Sequence, residues 1–333
     1  MRRRKFIAAL GSATLAVPIS AAAQPPAGIP RVGLLMGSEP SNEAVTLTTF
    51  REGLEKLGYL DGQNVQIEPR YAMGDPDRFA PLARELVALA PAVIACVGRQ
   101  ETSALQAATR TVPIVFIQIG DPVEQGFVAS LARPGGNTTG FTQMSAELDP
   151  KRLQLLHEIA PSVSRAAFLV NPNLTPGLVA RVAQAEAAAR SLGIVLRPVD
   201  ATTPAELTMA LAEIEASSSE ALLISNDPLF GKEKERKQIS DFALTHRLPT
   251  VYEAILPRTI SLLGVLLSYG PDLMENRRLA AGYVAKILQG AKPADLPVQQ
   301  PTRFRLVVNR KTAEAIGLTI PPAVLDLADQ VIE

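Results

Sequence analysis

Tryptophan is absent from the chain of 333 residues, cysteine occurs once and histidine twice. The single thiol, Cys96, cannot form an intramolecular disulfide, and its apolar neighbours favour a buried structural role over a reactive one. His157 and His246 lie far apart, and neither has a second ligand at the spacing of a zinc site. The sequence therefore predicts no metal site and no cofactor, and each histidine is interpreted as a surface helix residue.

An excess of charge of one sign is also missing, because 33 Lys and Arg balance 33 Asp and Glu. A neutral chain has no general attraction to polyanions, so we predict no nucleic-acid partner. No Walker sequence, dinucleotide-binding glycine pattern or serine nucleophile elbow is present. Since no nucleophile–base pair can be argued either, we expect a protein that is not an enzyme and that has no catalytic residues.

The first 23 residues have the pattern of an export signal. Four basic residues (2–5) precede a short apolar stretch (6–17), and three alanines end at Ala23. The apolar stretch is too short to span a bilayer, and no cysteine follows it as a lipid-anchor site. Arg3 and Arg4 resemble a twin-arginine signal, with general secretion as the alternative. We expect cleavage before Gln24 and an unanchored, soluble protein in the periplasm.

The remaining chain alternates apolar, strand-like runs with helical segments. With 47% hydrophobic and 20% charged residues, it is long enough for two domains with separate cores. The alternation predicts an α/β protein with parallel sheets and right-handed crossovers, and the rhythm restarts after residue 142. Segments 138–142 and 261–271, with their neighbouring Pro/Gly-rich breaks, are interpreted as extended crossovers between the domains. A short helix is predicted at 127–132.

Polar and glycine-containing loops follow the predicted strands and supply the candidate ligand contacts. Ligands of open α/β sheets bind at the carboxyl ends of the strands, where amide and hydroxyl groups converge. The candidates are Ser38, Gly98, Arg99, Gln100, Gly120, Asp121, Asn171, Asn226, Asp227, Tyr252, Glu253 and Tyr269.

Several of these candidates have alternative interpretations. The two aspartates each precede a proline and equally suit a turn, and the two tyrosines could stack on a ligand ring or brace a hinge. Arg99 could pair with a ligand carboxylate or with Glu101, and its position directly after a buried strand favours the ligand. We therefore predict an anionic or zwitterionic, amino-acid-like small molecule.

A set of segments spread over the whole chain resembles a known protein family. The segments are 58–65 (GYLDGQNV), 113–116 (PIVF), 120–123 (GDPV), 131–140 (LARPGGNTTG), 268–272 (SYGPD), 292–298 (KPADLPV) and 317–322 (GLTIPP). Together with the leader, they resemble the tryptophan-binding-type family of ABC transporter substrate-binding proteins. Family relatives commonly carry a small residue where this chain has Arg99, which argues against a direct transfer of their ligand.

The resemblance implies a type I periplasmic-binding fold, with two doubly wound parallel-sheet lobes joined by a three-segment hinge. The lobes would comprise 30–140 plus 268–301 and 141–267 plus 302–333, with crossovers near 140–141, 267–268 and 301–303. It also implies a monomer that captures a small ligand between the lobes and delivers it to the membrane permease of an ABC transporter. A periplasmic module that senses its ligand for a membrane receptor is the alternative function.

Overall fold

The computed structural model describes residues 28–144, 146–173, 177–253 and 264–333, and the predicted signal segment lies outside these ranges. Its strands are β1 (Arg31–Met36), β2 (Gln66–Tyr71), β3 (Val93–Val97), β4 (Ile114–Ile119), β5 (Thr138–Thr142), β6 (Arg165–Val170), β7 (Val195–Asp200), β8 (Ala221–Ile224), β9 (Thr250–Tyr252), β10 (Leu267–Pro271), β11 (Phe304–Asn309) and β12 (Gln330–Ile332). Its α-helices are α1 (Pro40–Glu55), α2 (Phe79–Ala88), α3 (Arg99–Ala108), α4 (Asp149–Ile159), α5 (Leu178–Ser191), α6 (Pro204–Ala216), α7 (Pro228–Gly231), α8 (Glu233–Thr245), α9 (Leu273–Leu288), α10 (Arg310–Ile316) and α11 (Pro322–Leu327).

The strands form two sheets, each covered by helices on both faces. The first sheet is parallel, with the order β2-β1-β3-β4-β5, and the second has the order β12-β11-β10-β9-β8-β6-β7. In the second sheet β10 and β11 pair antiparallel, so this sheet is mixed rather than purely parallel as predicted. Because each sheet buries apolar side chains on both faces, its central strands are nearly continuous hydrophobic runs.

The segment 138–142, predicted to be an extended crossover, is instead the edge strand of the first sheet. It pairs with β4 in parallel, and Gly140 lies opposite Phe116. A Cβ at Gly140 would overlap the carbonyl oxygen of Phe116, so the close strand contact requires glycine there. The first crossover therefore begins only after Thr142, because the β-prone Thr and Phe side chains find a pairing partner in β4.

The second crossover also lies later than predicted. The described part of the predicted segment, 264–271, contains β10, which pairs with β9 and β11 and so belongs to the second sheet. The chain leaves that sheet at Pro271, and Asp272 caps the next helix by accepting hydrogen bonds from the backbone N–H groups of Met274 and Glu275. The predicted residues 261–263 lie outside the described ranges.

The helix predicted at 127–132 is not present; this stretch consists of bends and irregular structure. Asp121 begins the preceding turn, and its Oδ1 accepts hydrogen bonds from the N–H groups of Val123 and Glu124. Gln106 on α3 then donates to the Phe127 carbonyl oxygen, 2.9 Å away. Residues 127–132 lie between these contacts and the Pro-Gly-Gly sequence at 134–136, and six residues are too few to nucleate a helix of their own.

Helix α9 determines how the chain connects the two sheets. Although it directly follows β10 of the second sheet, it packs against α1 and against the first sheet. The chain consequently passes between the two halves three times, after β5, between β10 and α9, and before β11. This confirms the predicted pair of doubly wound lobes with a three-segment connection, and strand pairing assigns 141–142 to the first sheet and 268–271 to the second.

Candidate ligand-binding site

Loops that follow strands of the two sheets contact each other, and we call the region between these loops the cleft. Arg99 of the first lobe donates from Nη1 to the carbonyl oxygen of Asn173 in the second lobe, at 3.4 Å. Asn226 of the second lobe donates from Nδ2 to Oε1 of Gln143 in the first crossover, also at 3.4 Å. The structure thus brings candidate loops from both lobes together, as expected for carboxyl ends of strands around a shared site.

The wall of the first lobe contains a buried acid, Glu101, which the sequence offered only as a partner for Arg99. Its carboxyl group lies between two glycines, where a Cβ at Gly37 would be 2.7 Å from Oε1 and one at Gly98 would be 2.9 Å from Oε2. Gly98 also has φ +107, a backbone conformation that other residues rarely adopt. The two glycines after β1 and β3 therefore leave the space that the carboxyl group of Glu101 fills.

Burial raises the pKa of Glu101 to about 8, and the nearby charge of Glu43 on α1 contributes in the same direction. Among the described residues, Glu101 forms no ion pair. A carboxyl group without a cation in a nonpolar setting holds its proton to higher pH, because the charged form is poorly solvated. The first lobe therefore presents a carboxyl group that changes charge near neutral pH.

The other candidates of the first lobe divide into cleft residues and turn residues. Ser38 and Gln100 are half-buried, at the carboxyl end of β1 and in the first turn of α3. Arg99 is exposed, and it donates a hydrogen bond to the Asn173 carbonyl oxygen rather than pairing with Glu101. Gly120 is half-buried, whereas Asp121 is exposed and serves the turn after β4. Arg99 is thus placed to link the lobes, and Asp121 follows its turn interpretation.

The wall of the second lobe is held by a buried ionic network that the sequence interpretation missed. Asp149 accepts from Nη1 of Arg152 at 2.7 Å and from Nε of Arg181 at 2.7 Å. Arg181 also pairs with Oε2 of Glu253 at 2.9 Å, and this oxygen accepts the backbone N–H of Asn226 at 2.8 Å. Since all four charged side chains are buried, the network holds the loop after β8 in place from the interior of the lobe.

Glu253 accordingly has a positioning role in the structure, although the sequence placed it among the ligand contacts. Its carboxylate is occupied by Arg181 and by Asn226, and its carbonyl oxygen accepts from Nη2 of Arg152 at 3.1 Å. Asp149, Arg152 and Arg181 gave no signal in the sequence, because acidic and basic residues in helical segments usually form exposed faces. Only their positions on packed helices show that they point inward.

The loops after β6 and β8 are linked to each other. Asn171 is buried, accepts the N–H of Asn173 at 3.1 Å and hydrogen-bonds the carboxyl group of Asp227. Asp227 caps α7 through the N–H of Leu229 at 2.7 Å, and burial raises the pKa of its carboxyl group. Asn226 between them is exposed toward the crossover. Asn226 is therefore an exposed residue of these loops, and its side chain faces the first lobe.

The two candidate tyrosines are packed into the fold. Tyr252 is buried in the hydrophobic core on one face of the second sheet, and burial raises the pKa of its hydroxyl. Tyr269 lies against the core on the other face, and its ring stacks on Phe304 with centroids 6.2 Å apart. These packing contacts favour the bracing role among the alternatives open from the sequence, and contact of either ring with a ligand stays a prediction.

A further buried cation, Arg277, was also missed. It lies on the second turn of α9 with 6% of its surface exposed. Its neighbour Asn276 donates from Nδ2 to the carbonyl oxygen of Thr142 at 3.2 Å, which places this turn beside the first crossover. The sequence gave no reason to select Arg277 over Arg278, because only the fold decides which of the two faces the interior.

Comparison with known proteins identifies the family. A sequence profile described as ABC transporter substrate binding protein matches residues 38–332. The chain belongs to this family. It is 24% identical over 275 residues to a tyrosine-binding protein of Clostridioides difficile (strain R20291), covering 81% of this chain and 75% of that protein.

Solved structures show the same fold as this ABC transporter substrate-binding protein. The ABC domain in complex with L-Trp from Streptococcus pneumonia has a TM-score of 0.82 at 24% identity, covering 92% of this chain and 100% of that chain. A conserved domain protein from Vibrio cholerae has a TM-score of 0.82 at 29% identity, covering 91% and 100%. These likenesses confirm the type I periplasmic-binding fold.

None of the helices in the described ranges has the length and apolar character needed to cross a membrane. Within the same ranges, no group of three or more His, Cys, Asp or Glu side chains is arranged to hold a metal ion.

Proposed function

We propose that this protein binds an aromatic amino acid, of the tryptophan or tyrosine type, between its lobes outside the cytoplasm and delivers it to an ABC permease. The observation that carries the proposal is the cleft, because loops from both lobes converge on one space and touch across it. Membership of the substrate-binding family supports the transport role. The protein acts by binding and release, with no chemical step.

The chemical class of the ligand is supported by the relatives and by the charges around the cleft. One relative is a tyrosine-binding protein, and one similar structure contains L-Trp. The cleft region of the first lobe holds both a buried acid, Glu101, and a buried cation, Arg277. Because Glu101 keeps its proton up to about pH 8, the charge to be matched near neutral pH is that of Arg277, and a ligand with a carboxylate suits it better than a neutral sugar does.

Binding works through closure of the lobes. Contacts such as that between Arg99 and Asn173 form only when the two lobes approach, so they stabilise a closed form. A ligand that touches both lobes adds to these contacts and shifts the population toward closure. The three-segment connection between the lobes permits this motion, because it leaves each lobe with its own sheet and cores.

The first prediction concerns ligand binding by the mature protein. L-tryptophan or L-tyrosine at about 100 times its Kd should stabilise the protein by about 2.7 kcal/mol, because the folded state alone binds it. Titration calorimetry gives the Kd, urea denaturation gives the stabilisation, and small-angle scattering should show a smaller radius of gyration with ligand. D-tryptophan and D-glucose serve as controls. Absence of binding by both L-amino acids would contradict the proposed ligand class.

The second prediction concerns export. The leader should be removed before Gln24, and the mature protein should be recovered from the periplasmic fraction, because the basic and apolar segments have the order of an export signal. Intact-mass measurement of that fraction determines the new terminus. Replacing both Arg3 and Arg4 by lysine should block export by the twin-arginine route while leaving general secretion unaffected. Full-length protein in the cytoplasm of wild-type cells would refute export by either route.

A further inference from the structure

Arg277 has a buried guanidinium that forms one weak hydrogen bond within the described residues. Its Nη1 donates to the thioether sulfur of Met274 at 3.5 Å, and its buried Nε has no hydrogen-bond partner. A thioether is a poor acceptor, and arginine stays protonated in proteins even though burial lowers the pKa of Arg277. The guanidinium therefore has a full positive charge in a poorly solvated environment, with few hydrogen bonds to stabilise that charge.

No protein carboxylate pairs with this charge. Among the described residues Arg277 forms no ion pair, and the stretches outside the described ranges contain no Asp or Glu. Glu43 on α1 is near enough to raise its pKa but does not contact it. By contrast, the other buried arginines, Arg152 and Arg181, each contact a carboxylate at 2.7 Å. Within the described ranges, Arg277 is thus a buried cation without an ion pair, whereas Arg152 and Arg181 each have one.

Arg277 lies at the end of α9 that is next to the cleft. Helix α9 begins at the second crossover, and the contact with Met274, one turn earlier, shows that the side chain runs toward that end of the helix. Asn276 beside it bonds to Thr142, where β5 ends and the first crossover begins. Thr142 ends β5 in the first lobe and Ser225 follows β8 in the second, and both carry buried hydroxyls without partners in the described structure. Arg277 therefore lies where two crossovers and both lobes meet.

We propose that the guanidinium of Arg277 binds the carboxylate of the ligand and so selects ligands that carry one. This proposal rests on the proposed function, and it names the residue that recognises the carboxylate of the amino acid. Arg99, the sequence candidate for this role, is exposed and contacts the Asn173 carbonyl instead. A planar guanidinium suits a carboxylate because two parallel N–H···O bonds can form, and burial strengthens them.

The experiment compares Arg277→Met with Arg278→Met on the same helix. Arg278 is 43% exposed and pairs with Glu275, so its removal should leave binding within about twofold. Arg277→Met should weaken L-tryptophan binding at least about a hundredfold in titration calorimetry, and Arg277→Lys should recover part of the loss. A larger loss for Arg99→Ala than for Arg277→Met, or equal losses for the two methionine variants, would overturn the proposal.

Tryptamine, which lacks the carboxylate, supplies a test that a purely structural role would not pass. Wild-type protein should prefer L-tryptophan over tryptamine at least about a hundredfold, and Arg277→Met should bind the two ligands with similar affinity, because the partner of the carboxylate is gone. Discrimination that is unchanged in Arg277→Met would show that the carboxylate is recognised elsewhere.

A second measurement needs no ligand. Since the charge of Arg277 is uncompensated, Arg277→Met should maintain or raise the midpoint of urea denaturation, whereas Arg152→Met should lower it. A fall in the midpoint for Arg277→Met similar to that for Arg152→Met would identify a structural guanidinium and overturn the proposal. If wild-type protein binds neither L-tryptophan nor L-tyrosine, the proposed function fails. The urea midpoints of Arg277→Met and Arg152→Met then show by themselves whether the guanidinium of Arg277 is structural.

Discussion

Asp149→Asn should lower the free energy of unfolding by about 3–5 kcal/mol, because it leaves two buried arginines without their shared carboxylate. Asp149 contacts Arg152 at 2.7 Å and Arg181 at 2.7 and 3.0 Å, and its side chain is 2% exposed. Asparagine keeps the shape and one acceptor but removes the charge. Urea denaturation of ligand-free protein, followed by circular dichroism, measures the loss.

An exposed ion pair provides the matched control. Lys237 and Asp241 lie one turn apart on α8, 2.6 Å from each other, with 70% and 58% of their side chains exposed. Asp241→Asn should cost no more than about 0.5 kcal/mol, because water solvates both partners after the pair is broken. Similar losses for the two variants would show that burial does not strengthen the network around Asp149.

The same substitution should weaken ligand binding. The network holds Glu253, whose carboxylate accepts the N–H of Asn226 at the cleft edge. Loss of Asp149 frees Arg181 to move and thereby loosens that loop, so binding should fall even under conditions in which the variant is folded. Unchanged affinity would separate the network from the site and restrict it to stability.

The second large effect is a dependence of stability on pH that comes from Glu101. Its pKa is raised from the ordinary value of 4.5 to about 8 in the folded protein. Between these values the unfolded chain has released the proton while the folded protein retains it, so stability is highest below about pH 4.5 and falls as the pH rises through 8. One pKa unit corresponds to about 1.4 kcal/mol, so the free energy of unfolding can fall by at most about 5 kcal/mol over this pH range. Relaxation of the protein around Glu101 should reduce this loss to about 2 kcal/mol.

Glu101→Gln removes this titration while keeping the size of the side chain. The difference in unfolding free energy between wild type and variant, measured at pH 5 and pH 8.5, should change by about 2 kcal/mol in favour of the variant at the higher pH. The neighbouring titratable groups are Glu43 on α1 and Cys96 on β3, and burial keeps the Cys96 thiol neutral by raising its pKa. Their contributions cancel in the difference. A difference that does not vary with pH would refute the raised pKa.

The sequence by itself predicted most of the strands and helices, and it selected the loops that we propose as the ligand-binding site. Buried parallel strands are continuous apolar runs, and helices show their spacing and caps locally, so β4 and α8 were found near their observed positions. The loops containing Ser38, Gly98 and Asn226 were selected by the same reasoning, because the carboxyl ends of parallel strands share one edge of a sheet, and their contact with a ligand stays a prediction. These features depend on residues close together in the chain.

What only the tertiary structure decided is which charged side chain meets which partner. Asp149 and Arg181 are 32 residues apart, and neither periodicity nor composition joins them. Arg277 and Arg278 are adjacent in sequence, yet one is buried beside the crossover and the other is exposed, because α9 follows the second sheet and packs on the first. Likewise, 138–142 became a strand because β4 offered it a pairing edge. Packing between distant elements sets the solvation of each charge, and solvation decides whether that charge stabilises the fold or remains available to a ligand.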